Sequence, residues 1–191
     1  FLPDTVLTVG GRWTYEKREF ESTVGAIRND GVNIPVLSSL EGSISVRKPT
    51  WRLALRHEFN PDVSAYVSFN RGFKSGGFNI VSPSRTAYEP EILDAYEVGL
   101  KSEMFDHVLR LNAAGFLYKY NNLQVLQFSN LVPVISNAAK ANIYGLDIDV
   151  ELVVTPNLRL SGGLTWLHSE FTRFDNAVVG VPRTDLNGKP T

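Results

Sequence analysis

Residues 144–154 run Tyr144-Gly145-Leu146-Asp147-Ile148-Asp149-Val150-Glu151-Leu152-Val153-Val154. Tyr144, Leu146, Ile148, Val150, Leu152 and Val154 are apolar, and Asp147, Asp149 and Glu151 stand between them. Side chains of an extended chain point alternately to opposite faces, so this stretch makes a strand with one charge-free face and one acidic face.

The same period governs the chain on both sides. Over 7–16, Leu7, Val9, Gly11, Trp13 and Tyr15 alternate with Thr8, Gly10, Arg12, Thr14 and Glu16. Over 51–59, Trp51, Leu53, Leu55, His57 and Phe59 alternate with Arg52, Ala54, Arg56 and Glu58, and over 63–70 Val63, Ala65, Val67 and Phe69 alternate with Ser64, Tyr66, Ser68 and Asn70. Tyr96, Val98 and Leu100 alternate with Glu97, Gly99 and Lys101, and Leu158, Leu160, Gly162, Leu164 and Trp166 with Arg159, Ser161, Gly163 and Thr165. The stretch 109–118 is less regular: Leu109, Leu111, Ala113 and Leu117 oppose Arg110 and Asn112, but Phe116 and Tyr118 fall on the polar side, which predicts a bulge. Across all these strands the apolar face carries no formal charge. The fold class is all-β.

Connections alternate in length. Asn60-Pro61-Asp62 and Thr155-Pro156-Asn157 are tight turns, Leu2-Pro3-Asp4 resembles them, and Ser102–His107 is another short link. Long polar or Gly-rich stretches, 17–50, 71–93 and 167 onward, with a shorter one within 121–137, lie between. Short and long links at opposite strand ends are what an antiparallel up-and-down meander with one trimmed and one elaborated rim requires. Trp13 lies nine residues after Asp4, Trp51 nine before Asn60, and Trp166 nine after Asn157. At about 3.3 Å per residue and a tilt near 45°, that is a climb of roughly 21 Å, close to the apolar band of a transmembrane barrel at about 25 Å. Tyr15, Phe69, Tyr96 and Tyr144 share the face and the end, so with the tryptophans they are expected to form an aromatic girdle at one headgroup level. The competing reading is a soluble barrel or sandwich whose charge-free face is a protein core.

Composition narrows the function classes. Among 191 residues, 19 Lys and Arg against 20 Asp and Glu leave no net field for nucleic acid, and 43% hydrophobic residues exclude disorder. Without cysteine there is neither disulfide, thiolate nucleophile nor Cys-bound zinc, and His57, His107 and His168 have no metal-binding spacing. The chain begins at Phe1 without Met or a signal sequence, and is expected to start within a longer protein.

Tyr66-Val67-Ser68-Phe69-Asn70-Arg71-Gly72-Phe73-Lys74-Ser75-Gly76-Gly77-Phe78 resembles a stretch of the TonB-dependent outer-membrane receptors. Tyr88-Glu89-Pro90-Glu91 with Tyr96-Glu97-Val98-Gly99-Leu100-Lys101 is similar to the next strand of that family. Asn137-Ala138-Ala139-Lys140-Ala141 with Gly145-Leu146-Asp147-Ile148-Asp149, and then Leu160-Ser161-Gly162-Gly163-Leu164-Thr165, match the strands that follow. Each piece is degenerate alone; their joint order and spacing are specific. The resemblance implies an antiparallel up-and-down transmembrane β-barrel segment, about seven strands of a larger plugged barrel of roughly 22. It further implies a Gram-negative outer-membrane location, a plug domain of the same protein, energy from the TonB complex through that plug, and a scarce nutrient such as a ferric siderophore, cobalamin or an oligosaccharide as ligand. No plug, TonB box or closing strand is recognised, so residues 1–191 are expected to be part of the barrel domain. A passive porin-like channel and a soluble ligand-binding sandwich are the alternatives.

No enzyme chemistry is expected. Arg71-Gly72-Phe73-Lys74-Ser75-Gly76-Gly77 is no phosphate loop, because Phe73 stands where a glycine must precede Lys-Ser and no helix follows. Glu89 and Glu91 flank a proline and make no acid/base pair. Arg71, Phe73, Lys74 and Tyr88 are candidate ligand contacts on a long outer loop, whose glycines permit backbone bends. Arg12, Arg52, Arg56, Lys101, Arg110 and Arg159 with Asp147, Asp149 and Glu151 are expected to form a lumen charge network against which a plug would pack. No cofactor or metal is expected.

Overall fold

The computed structural model describes residues 3–27, 33–79, 86–129 and 132–175. Among these described residues nine strands follow one another: β1 (Thr5–Ile27), β2 (Asn33–Asn60), β3 (Val63–Lys74), β4 (Gly77–Phe78), β5 (Ala87–Tyr88), β6 (Glu91–Met104), β7 (Leu109–Ser129), β8 (Val132–Thr155) and β9 (Leu158–Phe174). Seven form one sheet in the order β1-β2-β3-β6-β7-β8-β9, every neighbouring pair antiparallel, and β4 and β5 make a small separate hairpin.

The three short links fall where proline or left-handed backbone allows. Asn60 ends β2, and its side-chain oxygen accepts the Asp62 N–H at 2.9 Å, closing the turn around Pro61. Pro156 and Asn157 separate β8 from β9. Between β6 and β7 the chain turns through three consecutive left-handed residues, Phe105, Asp106 and His107 (φ 56°, 54° and 65°), without a glycine to ease it.

Two expectations about the elements are corrected. Within 17–50, the described residues 17–27 and 33–50 are strand rather than loop: β1 and β2 continue pairing to Ile27 and Asn33, well beyond the tryptophans. Likewise β3 runs to Lys74, β7 to Ser129, β8 begins at Val132 and β9 reaches Phe174; 28–32, 80–85, 130–131 and 176–191 lie outside the described residues. Beyond an apolar environment both faces of a ribbon meet water, so alternation fades while the hydrogen-bond ladder persists. The bulge predicted within 109–118 is absent; β7 pairs regularly with β8 from Leu109 to Tyr120, and the irregularity comes at 120–124, with Asn122 left-handed (φ 55°). Phe116 and Tyr118 do face the polar side, stacked at 5.0 Å. The Phe116 ring lies over Gly145, its cross-strand partner, as the Tyr66 ring lies over Gly99; each ring fills the space a glycine leaves in the pleat.

No second layer covers the apolar face among the described residues. Val9 is 71% exposed, Trp13 67% and Leu164 64%, and among the described residues no large side chain is fully buried. The chain exposes 13861 Å², about one and a half times the roughly 9,100 Å² of a compact protein of this mass. A sheet of this kind is stable only if something else removes its apolar side from water.

Candidate functional site

Of the seven girdle aromatics, Trp13 and Tyr15 are on β1 and one each on β2, β3, β6, β8 and β9, all on the apolar face. They do not share one hydrogen-bonded row. From Trp166 the partners run through Leu146, Gly115, Val98, Val67 and Leu55 to Leu7, six residues short of Trp13. On the intervening strands Trp51 lies four residues past this row, and Phe69, Tyr96 and Tyr144 two past it. The aromatics therefore follow an oblique line, rising roughly 20 Å across roughly 29 Å of sheet, a slope of about 35°. Barrel strands tilt by about 35–45°, so a line at this angle to the rows is level in a membrane. Neighbours on it touch: Phe69 stacks on Tyr96 at 4.8 Å, and Tyr144 meets Trp166 edge-on at 6.0 Å.

On the polar face, charges gather near the short turns. Arg110 bridges Glu103 at 2.9 Å and Glu151 at 3.6 Å, Arg159 donates to Glu151 at 2.9 Å, and Arg56 pairs with Glu58 at 2.8 Å. Asp147 accepts the Thr165 hydroxyl at 2.8 Å, and Lys101 stands 6.0 Å over the Tyr66 ring, whose hydroxyl donates to Glu97. Asp149 faces Asn112 and Gly163; Arg12 and Arg52 share the face, opposite Thr50 and Gly10. Partners at alternate positions thus relieve the acid stack of β8 from β7 and β9.

At the other end, residues 75–79 and 86–90, which hold the β4–β5 hairpin, cross the polar face. On one side the Ser75 hydroxyl donates to Glu16, and Phe78 packs on Phe20 at 4.5 Å, where Gly42 leaves room for both rings. Ser75 and Arg18 together hold the Glu16 carboxyl below its ordinary range, the Ser75 bond being the larger cause. On the other side the Gln124 amide donates to Ser75 O and Glu89 O, and the Gln124 N–H donates to the Glu91 carboxylate. Asn137 accepts the Glu89 N–H at 2.6 Å and donates to Glu89 O at 2.9 Å. Asn79, 7% exposed, both accepts from Ile135 N (2.7 Å) and donates to Ile135 O (2.8 Å), as a strand residue would. The segment is pinned from β1 to β8, five strands away in the sheet. Its glycines serve close approach: a Cβ on Gly76 would meet Tyr88 O at 2.2 Å.

The four candidate ligand contacts are not brought together. Arg71, Phe73 and Lys74 belong to β3 rather than to a loop. Because β3 keeps its alternation, Arg71 is in phase with Phe69 on the apolar face, where Nε and Nη2 donate to the two oxygens of Asp94 and the guanidinium lies 4.8 Å from the Trp51 ring centre. Phe73 is on the same face opposite Ile92; Lys74 pairs in register with Glu91, and Tyr88 lies over Gly77. Parity signalled this: Asp94 is in phase with Tyr96 and Val98. The cluster that does form, Glu16, Phe20, Phe78, Asn79, Glu89, Gln124 and Asn137, joins residues too far apart in sequence for any local pattern to pair them.

Comparison with known proteins fits this geometry. The family model "TonB dependent receptor-like, beta-barrel" matches residues 1–189. The metal-pseudopaline receptor CntO of Pseudomonas aeruginosa is 27% identical over 134 residues, 70% of this chain and 18% of that receptor. The probable TonB-dependent siderophore receptor PiuA of Acinetobacter baumannii is 24% identical over 174 residues, 90% of this chain and 22% of that protein. The chain thus spans about a fifth of the length of these relatives. The crystal structure of the ferric yersiniabactin uptake receptor FyuA from Yersinia pestis superposes with a TM-score of 0.66 at 21% identity, covering 87% of this chain and 24% of that one. Register, oblique aromatic line and family match agree: the chain belongs to the TonB-dependent receptor β-barrel family, and its seven adjacent strands lie in the outer membrane of a Gram-negative bacterium.

Proposed function

We propose that the protein is an active-transport receptor that captures a scarce nutrient, a ferric siderophore or similar metal chelate, and takes it up with energy coupled through TonB and a plug domain of the same protein. Lipid covers the charge-free face, because only an apolar surface is stable there and only a closed strand ladder satisfies backbone amides in hydrocarbon. The aromatic line then lies at the headgroup level of the long-strand end, and the polar face lines the lumen, where its ion pairs meet the plug.

The observation that carries the reading is the stretch formed by residues 75–79 and 86–90. It is tied across the lumen face at the long-strand end by Glu16 and Phe20 on one side and by Gln124, Ile135 and Asn137 on the other. A passive pore works by keeping that mouth open; a receptor needs surface there to hold a ligand before handing it inward. The names of the relatives, metal-pseudopaline and siderophore receptors, point to a metal chelate.

The test is uptake of ⁵⁵Fe-labelled catecholate, hydroxamate and phenolate siderophores by cells carrying the full-length gene, its deletion, or a tonB deletion. Uptake of one class that needs both genes is expected. Uptake of small solutes of every kind, unaffected by loss of TonB, would replace the receptor with a channel.

A further inference from the structure

Beyond the aromatic line the sheet divides. β3 stops at Lys74 and β6 begins at Glu91, so β2 pairs with β3 only from Trp51 down, and β7 with β6 only as far as Asn121. Above that level β1 and β2 continue as one ribbon, to Ile27 and Asn33, and β7 and β8 as another, to Ser129 and Val132. Among the described residues, no strand lies along the edge that each ribbon turns towards the other. A two-stranded ribbon is marginal in water unless a further element packs on it.

Residues 75–79 and 86–90 supply that element. The buried apolar side chains of the described chain are Val46, Ala138, Ala139 and Ala141, and all lie on the strands this segment touches. Val46 is the register partner of Glu16, which accepts the Ser75 hydroxyl, and the alanines follow Asn137 on β8. Gly76, Gly77 and Asn79 of the segment are buried as well. Small side chains let the segment come close on both sides, the alanines on β8 and Gly42 on β2, where an added Cβ would strike the Phe20 ring and touch that of Phe78.

The bonds have the form of a strand ladder although side chains make them. Asn79 both accepts from and donates to the backbone of Ile135, and Asn137 does the same with Glu89, the two-bond exchange of an antiparallel pair. Swinging the segment away would strip the buried Asn79 amide of its partners and uncover the small apolar core that the two ribbons share.

We propose that this segment is a fixed strap: it joins the β1–β2 and β7–β8 ribbons into one body, moves only with them, and stays across the lumen while a ligand passes beside it. Asn79, Gln124 and Asn137 are its positioning residues. The strap rests on packing alone; its part in uptake rests on the transport reading above.

The first test is deuterium exchange on the full-length protein in mild detergent. The amides of Asn79 and Glu89 should exchange no faster than the ribbon amides at 16–20 and 42–46; faster exchange at the strap would mean that it opens alone and would overturn the proposal. The second test locks the strap. These 191 residues hold no cysteine, so after any cysteine elsewhere in the protein is changed to serine, Phe20→Cys with Phe78→Cys, and Glu89→Cys with Asn122→Cys, are each joined by a short bis-methanethiosulfonate linker. Linked cells should take up ⁵⁵Fe-labelled catecholate, hydroxamate or phenolate siderophore with a Vmax within about twofold of the same cells after dithiothreitol; a loss of about tenfold or more that reduction restores would show a moving lid instead. Asn79→Ala with Asn137→Ala should raise KM about tenfold and leave Vmax unchanged, and an unchanged KM would remove the positioning role. Heat-modifiable migration reports folding, and should the double variant misfold, Gln124→Ala is read in its place. If none of the three siderophore classes enters any of these cells, the transport reading falls, and the exchange rates still decide whether the strap is fixed.

Discussion

Ile148→Arg tests the face assignment most directly. Ile148 lies on the charge-free face between Ala113 and Leu164, four residues below Tyr144 and seven above the turn at Thr155. At about 2.5 Å per tilted residue it sits roughly 10 Å inside the aromatic level, near the middle of a band about 25 Å tall. A guanidinium there loses its water and finds no carboxylate, since no strand neighbour on this face carries one. The expected destabilisation is about 2–4 kcal/mol, a shift of roughly 30- to 900-fold in the folding equilibrium. Leu152→Arg, four residues nearer the short turn and opposite Leu109 and Leu160, should cost only about 0–1 kcal/mol, because its side chain reaches the interface. Asp149→Asn, one residue along but on the other face, should also cost little, as it removes one member of a stack of like charges. The assay is urea titration of the full-length barrel refolded into lipid vesicles, followed by tryptophan fluorescence and heat-modifiable migration. Equal losses for Ile148→Arg and Asp149→Asn, or a larger loss at Leu152 than at Ile148, would refute the outward orientation and with it the level of the girdle.

Three further outcomes follow from local geometry. Gly145→Ala places a methyl 2.2 Å from Trp166 O and 2.8 Å from the Phe116 ring, so backbone must move, and about 1–3 kcal/mol should be lost in the same titration; Gly99→Ala, which meets only the Tyr66 side chain, should lose less. Asn79→Ala strips both partners from the backbone of Ile135, and deuterium exchange across 75–90 and at Ile135 should rise while the urea midpoint of the barrel stays put. Asp106→Gly relieves the middle of three left-handed residues and should stabilise by about 0.5–1 kcal/mol; a loss would show that the Asp106 side chain holds that turn.

Alternation made the membrane-crossing part of each strand legible, because a residue placed against lipid and its neighbour placed against water differ in free energy enough to write themselves into the sequence. The turns at Pro61 and Pro156 were legible for a related reason: proline restricts the backbone locally, whatever surrounds it. The extensions of β1 and β2 beyond Trp13 and Trp51 were hidden, since a ribbon wetted on both faces leaves no pattern. Phe116 and Tyr118 misled for the opposite reason. They are apolar residues on the polar side: the Phe116 ring covers Gly145 on the neighbouring strand and Tyr118 stacks on Phe116, and only the cross-strand register names that glycine.

By itself, then, the order of residues determined strand phase, charge-free face and antiparallel meander, all set by interactions between residues one or two apart and by the solvent each face must meet. Tertiary structure alone decided the sheet register. Register turned the tryptophans into an oblique line, moved Arg71 from a loop to the lipid side, and brought Glu89 against Asn137 and Asn79 against Ile135. Those pairings join residues about fifty apart, where the closing of a long chain sets the partner and no local preference can.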